Sequence, residues 1–161
     1  MGLDSNSNSQ EAPKQQKAAR FTETENGTVI DRARELLWLK LDTWQMTGKW
    51  MNWVQTRDFS EELNRKKFGG FQGWRLPTVA EAKSLYDKTQ QNKDHMGETV
   101  AHATVFQPGF GFLYWTSDVR NKIQAIRFGF RKGMQIFDDI YRTSRGSTRL
   151  VRDIEKEDEL L

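Results

Sequence analysis

The sequence predicts an α+β domain in which two helices pack on short, twisted antiparallel sheets. Three observations carry that expectation. Capped helical segments are confined to the middle of the chain, at Asn52 and Thr78. Short β-prone runs lie on either side and are separated by turn residues, with no alternating strand–helix–strand units. Six Trp and ten Phe among 161 residues supply apolar mass for a core, although the mean hydropathy is −0.81. A chain of this length buries roughly two-thirds of its unfolded surface, enough for one domain without staples.

Composition sets the domain limits. Residues 1–20 are polar and low in complexity and read as a disordered tail. The domain is expected over 21–153. Residues 154–161, IEKEDELL, form an acidic tail that either continues as a short helix or hangs free.

The elements follow in order. Phe21–Glu23 and Thr28–Ile30 flank Asn26-Gly27, a pair that favours the positive φ of a hairpin turn. Leu36–Leu39 is a continuous apolar run, read as a short buried strand. Asn52 and Gln55 are spaced as a helix N-cap and its reciprocal partner, and Trp53, Thr56, Ser60 and Leu63 then share one helical face. Gly69-Gly70 ends that helix. Thr78 and Glu81 form a second capping box, followed by the stripe Val79, Ala82, Leu85, Tyr86. Residues 87–111 read as a long loop. Leu113–Thr116, Ile123–Phe130, Met134–Phe137 and Arg149–Arg152 read as strands, with a turn at Lys132-Gly133.

Several function classes are excluded or weakened. With no cysteine there is no disulfide scaffold, zinc finger, iron–sulfur site or thiol nucleophile. No run approaches the roughly 18 apolar residues of a membrane helix. The N-terminus lacks a basic start followed by an apolar stretch, which predicts a cytoplasmic chain; a chain trimmed of such a leader would instead be exported. Met1-Gly2 is followed by Asn6 where a myristoylation signal needs Ser or Thr. No hydrolase, zinc-protease or P-loop motif is present, and Gly109-Phe110-Gly111 lacks the third glycine of a nucleotide fingerprint. His95 and His102 are seven residues apart, off any common helical face, and no calcium-type oxygen set surrounds Asp138-Asp139. No enzyme activity, cofactor or metal is therefore expected. The pI of 9.2 would allow nucleic-acid binding, but no recognised module for it is present.

The charge is asymmetric. The net value is +3, yet Asp153–Leu161 holds five acids and one base. Between Val119 and Arg152 stand nine bases against Asp138 and Asp139. Arg120, Lys122, Arg127, Arg131, Lys132, Arg142, Arg145 and Arg149, with Trp115 and Tyr141 for stacking, make up the candidate binding surface. Arg forks on short strands can grip sulfate, phosphate or carboxylate.

The segment Gly70-Phe71-Gln72-Gly73-Trp74-Arg75-Leu76-Pro77-Thr78, with Glu81 and Leu85 after it, closely resembles the GG-Y-x-x-W-R-L-P-T-x-x-E-L signature of the bacterial Lcl C-terminal domain-like family. Phe21-Thr22 with Asn26–Asp31 resembles its opening, Leu37-Trp38 its GLMW, Met51-Asn52-Trp53 its MTW and Tyr114–Ser117 its YWSST. Phe128–Gly133 and Leu150–Arg152 resemble its closing hairpin and strand. The similarity spans about 20–153 with the order intact. It implies a C-type-lectin-like fold and a binding module rather than a catalyst; the family's best-known member binds sulfated glycosaminoglycans. Family members often carry cysteines where this chain has Ser60 and Asp153, a loss that suits a reducing compartment. The distantly similar formylglycine-generating enzymes depend on cysteines that are missing here.

From the residues alone, Trp74, Arg75, Leu76, Pro77, Thr78 and Glu81 read as a structural corner: a ring to bury, a guanidinium to pair, and a proline ahead of a cap. The expected function is an accessory or adaptor subunit that binds another protein through its C-terminal half. The alternative is an anionic glycan held on the basic 119–152 surface. A homo-oligomer is compatible with either.

Overall fold

A computed structural model describes residues 19–158. Among the described residues, nine strands fall into three antiparallel sheets, with three short or medium helices between the first and second. The α+β expectation holds, and two helices become three.

Strands β1 (Phe21–Glu23), β2 (Thr28–Asp31) and β3 (Leu36–Leu39) form a meander, and β9 (Val151–Asp153) closes it against β3. The register sets Val29 opposite Trp38 and Trp38 opposite Val151. Neighbouring residues on β3 point to opposite faces, so Leu36 and Trp38 enter one core while Leu37 and Leu39 enter a second. A strand buried on both faces has no need of polar alternation, which is why Leu36–Leu39 reads as an unbroken apolar run. The first core gathers Val29, Leu85, Phe106, Phe110, Tyr114, Phe128 and Phe130. The second gathers Leu63, Trp74, Leu76, Trp115 and Leu150.

Helix α1 (Thr43–Thr47) is a helix that the sequence analysis does not anticipate. It carries a full capping box, Asp42 with Gln45, but five residues are too short to show an apolar stripe. Helix α2 (Trp53–Arg65) begins at the Asn52–Gln55 box, and α3 (Val79–Lys83) at the Thr78–Glu81 box. A single turn of 3-10 helix at Phe68–Gly70 follows α2.

The expected loop over 87–111 is instead largely a hairpin. Strands β4 (Tyr86–Lys93) and β5 (Thr99–His102) pair across it. The β4 sequence YDKTQQNK has little strand propensity. Its order comes from tertiary contacts: the Asn92 amide donates to the carbonyls of Ala103 and Phe106. His102, expected in that loop, is a fully buried strand residue. The third sheet runs β6 (Leu113–Arg120), β7 (Gln124–Gly129), β8 (Met134–Asp139), with β8 at its edge. The turn between β7 and β8 contains Gly133 at φ 71°, as Lys132-Gly133 predicts.

The Trp-Arg-Leu-Pro segment joins these layers. Arg75 exchanges two backbone hydrogen bonds with Val151, adding one more position beside β9. Trp74 is buried, its backbone N–H donates to the Asn64 side chain, and its indole donates to the Phe68 carbonyl. The Arg75 guanidinium grips Glu81 through two bonds of 2.8 and 3.0 Å, while Glu81 also accepts from the Thr78 backbone. One ion pair thus ties the corner to the start of α3.

Arg20, which composition placed at the end of the polar tail, belongs to the fold: it grips the buried Asp31 carboxylate through bonds of 2.8 and 2.9 Å. At the other end Ile154 packs on the second core and Asp158 accepts from Arg152. The disordered-tail reading of residues 1–18, and the last three residues of the acidic tail, lie outside the described residues.

Candidate functional site

Two of the eight cations expected on the surface are buried, which corrects the basic-surface reading. Arg149, just ahead of β9, is fully buried. Its Nε donates to the Tyr114 hydroxyl at 2.9 Å, and one terminal nitrogen donates to the carbonyls of Leu39 and Lys40. The guanidinium lies 4.4 Å from the centre of the Phe106 ring. Arg127 on β7 is also buried. It donates to Asp138 and to the carbonyls of Ser144 and Arg145, and it lies 4.3 Å over the Trp115 ring. It therefore pins the 141–148 loop to the sheet. Trp115, expected to stack on a ligand, is buried too and donates its indole N–H to the Met51 carbonyl. The physical reason is shared. A guanidinium over aromatic rings with carbonyl acceptors can be buried where an ammonium could not, and Arg127 stands on β7, the central strand of its sheet, where Ala125, Ile126 and Phe128 are buried as well.

The Arg149 network fixes protons. Because Arg149 donates to the Tyr114 oxygen, the Tyr114 hydroxyl donates onward to His102 Nε2, 3.0 Å away. His102 Nδ1–H then donates to the Ala103 carbonyl at 3.0 Å, so the ring is neutral with its proton on Nδ1. Burial, reinforced by the Arg149 charge, holds His102 well below its usual range. Burial likewise raises the Tyr114 phenol. Asp42, whose oxygens accept from the backbone N–H groups of Gln45 and Gly111, is pushed up to about 6 by burial, with the Arg149 charge pulling against that. These groups resemble acid–base machinery, but all four are sealed from solvent, and each makes internal hydrogen bonds, with one terminal nitrogen of Arg149 left without a partner among the described residues.

The remaining candidates stay outside and are dispersed. Arg120 stacks over Phe137 at 3.6 Å; Arg142 pairs with Asp138, and Arg131 with the buried Asp94. Lys122 and Lys132 sit in turns, while Arg145 and Tyr141 lie exposed in the following loop. The signature residues Trp74, Leu76 and Pro77 are buried, with Arg75, Thr78 and Glu81 half-buried beside them. Among the described residues, no group of three or more His, Asp or Glu side chains is placed to hold a metal ion. No described helix is long and apolar enough to cross a membrane.

Two surface features stand out instead. The first is apolar. Val119, Ile123, Met134, Ile136, Phe137 and Tyr141 are all large and 39–66% exposed, and all belong to the β6–β8 sheet and its turns. A cleft of about 290 Å³ opens beside them, lined by Phe112, Leu113, Gly129, Arg131, Lys132, Met134 and Ile136. The second is aromatic. Trp44 and Trp50 stack at 4.0 Å, His95 meets Trp50 at 4.8 Å, and Phe112 lies parallel to His95 at 6.0 Å. Arg131 and Arg145 both lie over Phe112, at 3.9 and 5.7 Å. Sequence reasoning missed this row because its members come from five separate segments.

The molecule is thus a small α+β domain of short antiparallel sheets with charged side chains buried in its interior. The Lcl C-terminal domain family matches residues 27–152, and the chain belongs to that family. No curated protein matches the chain. No solved structure matches it either.

The buried pair Asp42 and His102 gives opposite pH dependences. His102 stays neutral in the fold, so below 6.5 the unfolded chain takes up a proton that the folded one refuses, and stability falls. Asp42 takes its proton in the fold near 6 but only near 3.8 when unfolded, so between those values stability rises as pH falls. Asp42→Asn keeps a capping side chain and removes only the second effect. Relative to the parent chain it should gain about 2–3 kcal/mol of unfolding free energy between pH 4 and pH 7, read by urea titration. A difference that stays constant with pH contradicts the assignment.

Proposed function

We propose that this chain is a non-catalytic binding module with a C-type-lectin-like arrangement, acting as an accessory or adaptor subunit in the cytoplasm. Its ligand is another polypeptide, docked on the free β8 edge of the β6–β8 sheet. The observation that carries this reading is the gathering of exposed large apolar side chains on that one sheet, beside a cleft able to take a side chain. An extended peptide can add to such an edge through its main chain while the neighbouring cleft reads its side chains. The non-catalytic part is supported by the sealed state of His102, Tyr114, Asp42 and Arg149, which have no surface from which to reach a substrate. A reducing compartment suits Ser60 and Asp153: the first bonds the Arg57 carbonyl and the second pairs with Arg75.

Capture from native extract tests the docking face. The full chain should recover a defined polypeptide in stoichiometric amount, and Ile136→Lys, which places a charge on the apolar edge strand, should recover none while its circular dichroism is unchanged. Capture of nothing by the parent chain, or equal capture by the variant, contradicts the proposal.

A second reading has its own observation. The Trp44–Trp50 stack, leading through His95 to Phe112 with Arg131 and Arg145 above it, offers ring faces and guanidiniums together, as an anionic glycan requires. On a heparin column, elution only at high salt, lost in the Arg131→Ala, Arg145→Ala double variant, would favour it. Flow-through at low salt would remove it.

A further inference from the structure

A glycine stands in the third sheet where the fold does not require one. The register sets Leu113, Gly129 and Met134 side by side across β6, β7 and β8, so the three positions share one face. Phe128 and Phe130, on either side of Gly129, turn the other way into the first core. Gly129 is not among the glycines of positive φ. A Cβ built on it would meet the Leu113 Cδ1 at 3.4 Å and the Met134 carbonyl oxygen at 3.7 Å, both ordinary contacts. Neither backbone geometry nor crowding therefore calls for glycine. Glycine weakens a strand, and where its conformational freedom goes unused it marks a place where another group comes close. That place is the cleft of about 290 Å³, whose floor the missing side chain leaves open between Leu113 and Met134.

The cleft carries one sign of charge at its rim. Arg131 and Lys132 line it, and among the described residues no acid does. Arg131 is already engaged: its Nε and one terminal nitrogen hold the buried Asp94 carboxylate at 3.0 and 2.9 Å, and its guanidinium lies 3.9 Å over the Phe112 ring. Lys132, by contrast, enters no ion pair among the described residues. A cleft of this volume is at the small end of ligand sites and suits a single large side chain. An apolar floor with an unpaired ammonium at its lip is complementary to an apolar group that has negative charge beside it.

We infer that this cleft is the anchor pocket for a docked polypeptide: it takes a large apolar side chain over Gly129, and an aspartate or glutamate next to that residue is drawn to Lys132. The inference rests on the reading that a polypeptide docks on the β8 edge, and it supplies the chemistry of the segment that docks.

Nuclear magnetic resonance titration of the isotope-labelled full chain with three blocked peptides tests it. The peptides are acetyl-Thr-Asp-Leu-Asp-Thr-amide and its versions with both aspartates changed to asparagine or to lysine. The aspartate peptide is expected to shift the amide resonances of Leu113, Gly129 and Met134. It should bind about fivefold more tightly than the asparagine peptide, with the lysine peptide weakest. Lys132→Glu, at an exposed turn position, should reverse that order. Gly129→Val, whose side chain fills the floor, should weaken the aspartate peptide about tenfold or more. Gly129→Ala, which adds one methyl group at an ordinary contact distance, should weaken it by less and serves if valine disturbs the sheet. The amide spectra check that each variant is folded. No shifts at the cleft up to millimolar peptide, equal affinity for the three peptides, or a preference unchanged by Lys132→Glu overturns the inference. Extract capture that depends on Ile136, with no preference among the peptides, overturns the anchor chemistry alone and leaves the docking edge standing. Peptide binding with the expected preference, but no capture by the parent chain, supports the cleft and contradicts the docking reading.

Discussion

A guanidinium buried among aromatic rings is the constraint on which this structure turns. Arg149 carries its charge inside the first core, where its donors need acceptors; Nε and one terminal nitrogen find them, while the other terminal nitrogen has no partner among the described residues. The Tyr114 hydroxyl on β6 and the carbonyls at the end of β3 accept its protons, and the ring faces of Phe106, Phe110 and Tyr114 surround it. A single side chain thereby couples the first sheet to the third. His102 extends the coupling to β5, because the Tyr114 hydroxyl is left free to donate to it. Arg127 repeats the device in the second core, linking β7 to β8 through Asp138 and to the 141–148 loop through two carbonyls.

The consequence for function is a reversal of inside and outside. The basic last third of the domain turns Arg127, Arg149 and Arg152 inward, and the sheet that carries Arg127 presents Met134, Ile136 and Phe137 to solvent instead. The cations left on the surface are divided among Asp94, Asp138 and nearby rings, or stand alone in turns. On the proposed reading, that dispersal leaves an apolar, extended partner as the ligand rather than a polyanion held by a broad electrostatic grip. The Trp-Arg-Leu-Pro corner works at the opposite edge of the first sheet: Arg75 pairs with β9 through its backbone and clamps α3 through Glu81. The family signature is therefore part of the frame that presents the sheet.

Local chemistry was legible in the sequence, and long-range chemistry was not. The boxes Asn52–Gln55 and Thr78–Glu81 satisfy backbone donors within three residues, so their helices could be read directly. Leu36–Leu39 was legible because burial on both faces writes an apolar run. Strand β4 was not, since its order comes from Asn92 reaching Ala103 and Phe106 rather than from its own propensities. Helix α1 had a readable cap at Asp42 but no length. The burial of Arg127, Arg149 and Trp115 needs partners up to 110 residues away, as Arg149 to Leu39 shows, and no spacing rule encodes that. The apolar side chains of β8 were visible as a strand, but their exposure depends on β8 taking the edge of the sheet.

Replacement of Arg149 by methionine, followed by urea unfolding, tests the central claim most directly. The substitution keeps length and apolar volume and removes the donors to Tyr114, Leu39 and Lys40. If the guanidinium holds the two sheets together, unfolding free energy should drop by about 3 kcal/mol or more, because buried acceptors lose their partners. An Arg149→Met chain that unfolds at the same urea concentration as the parent would contradict the claim.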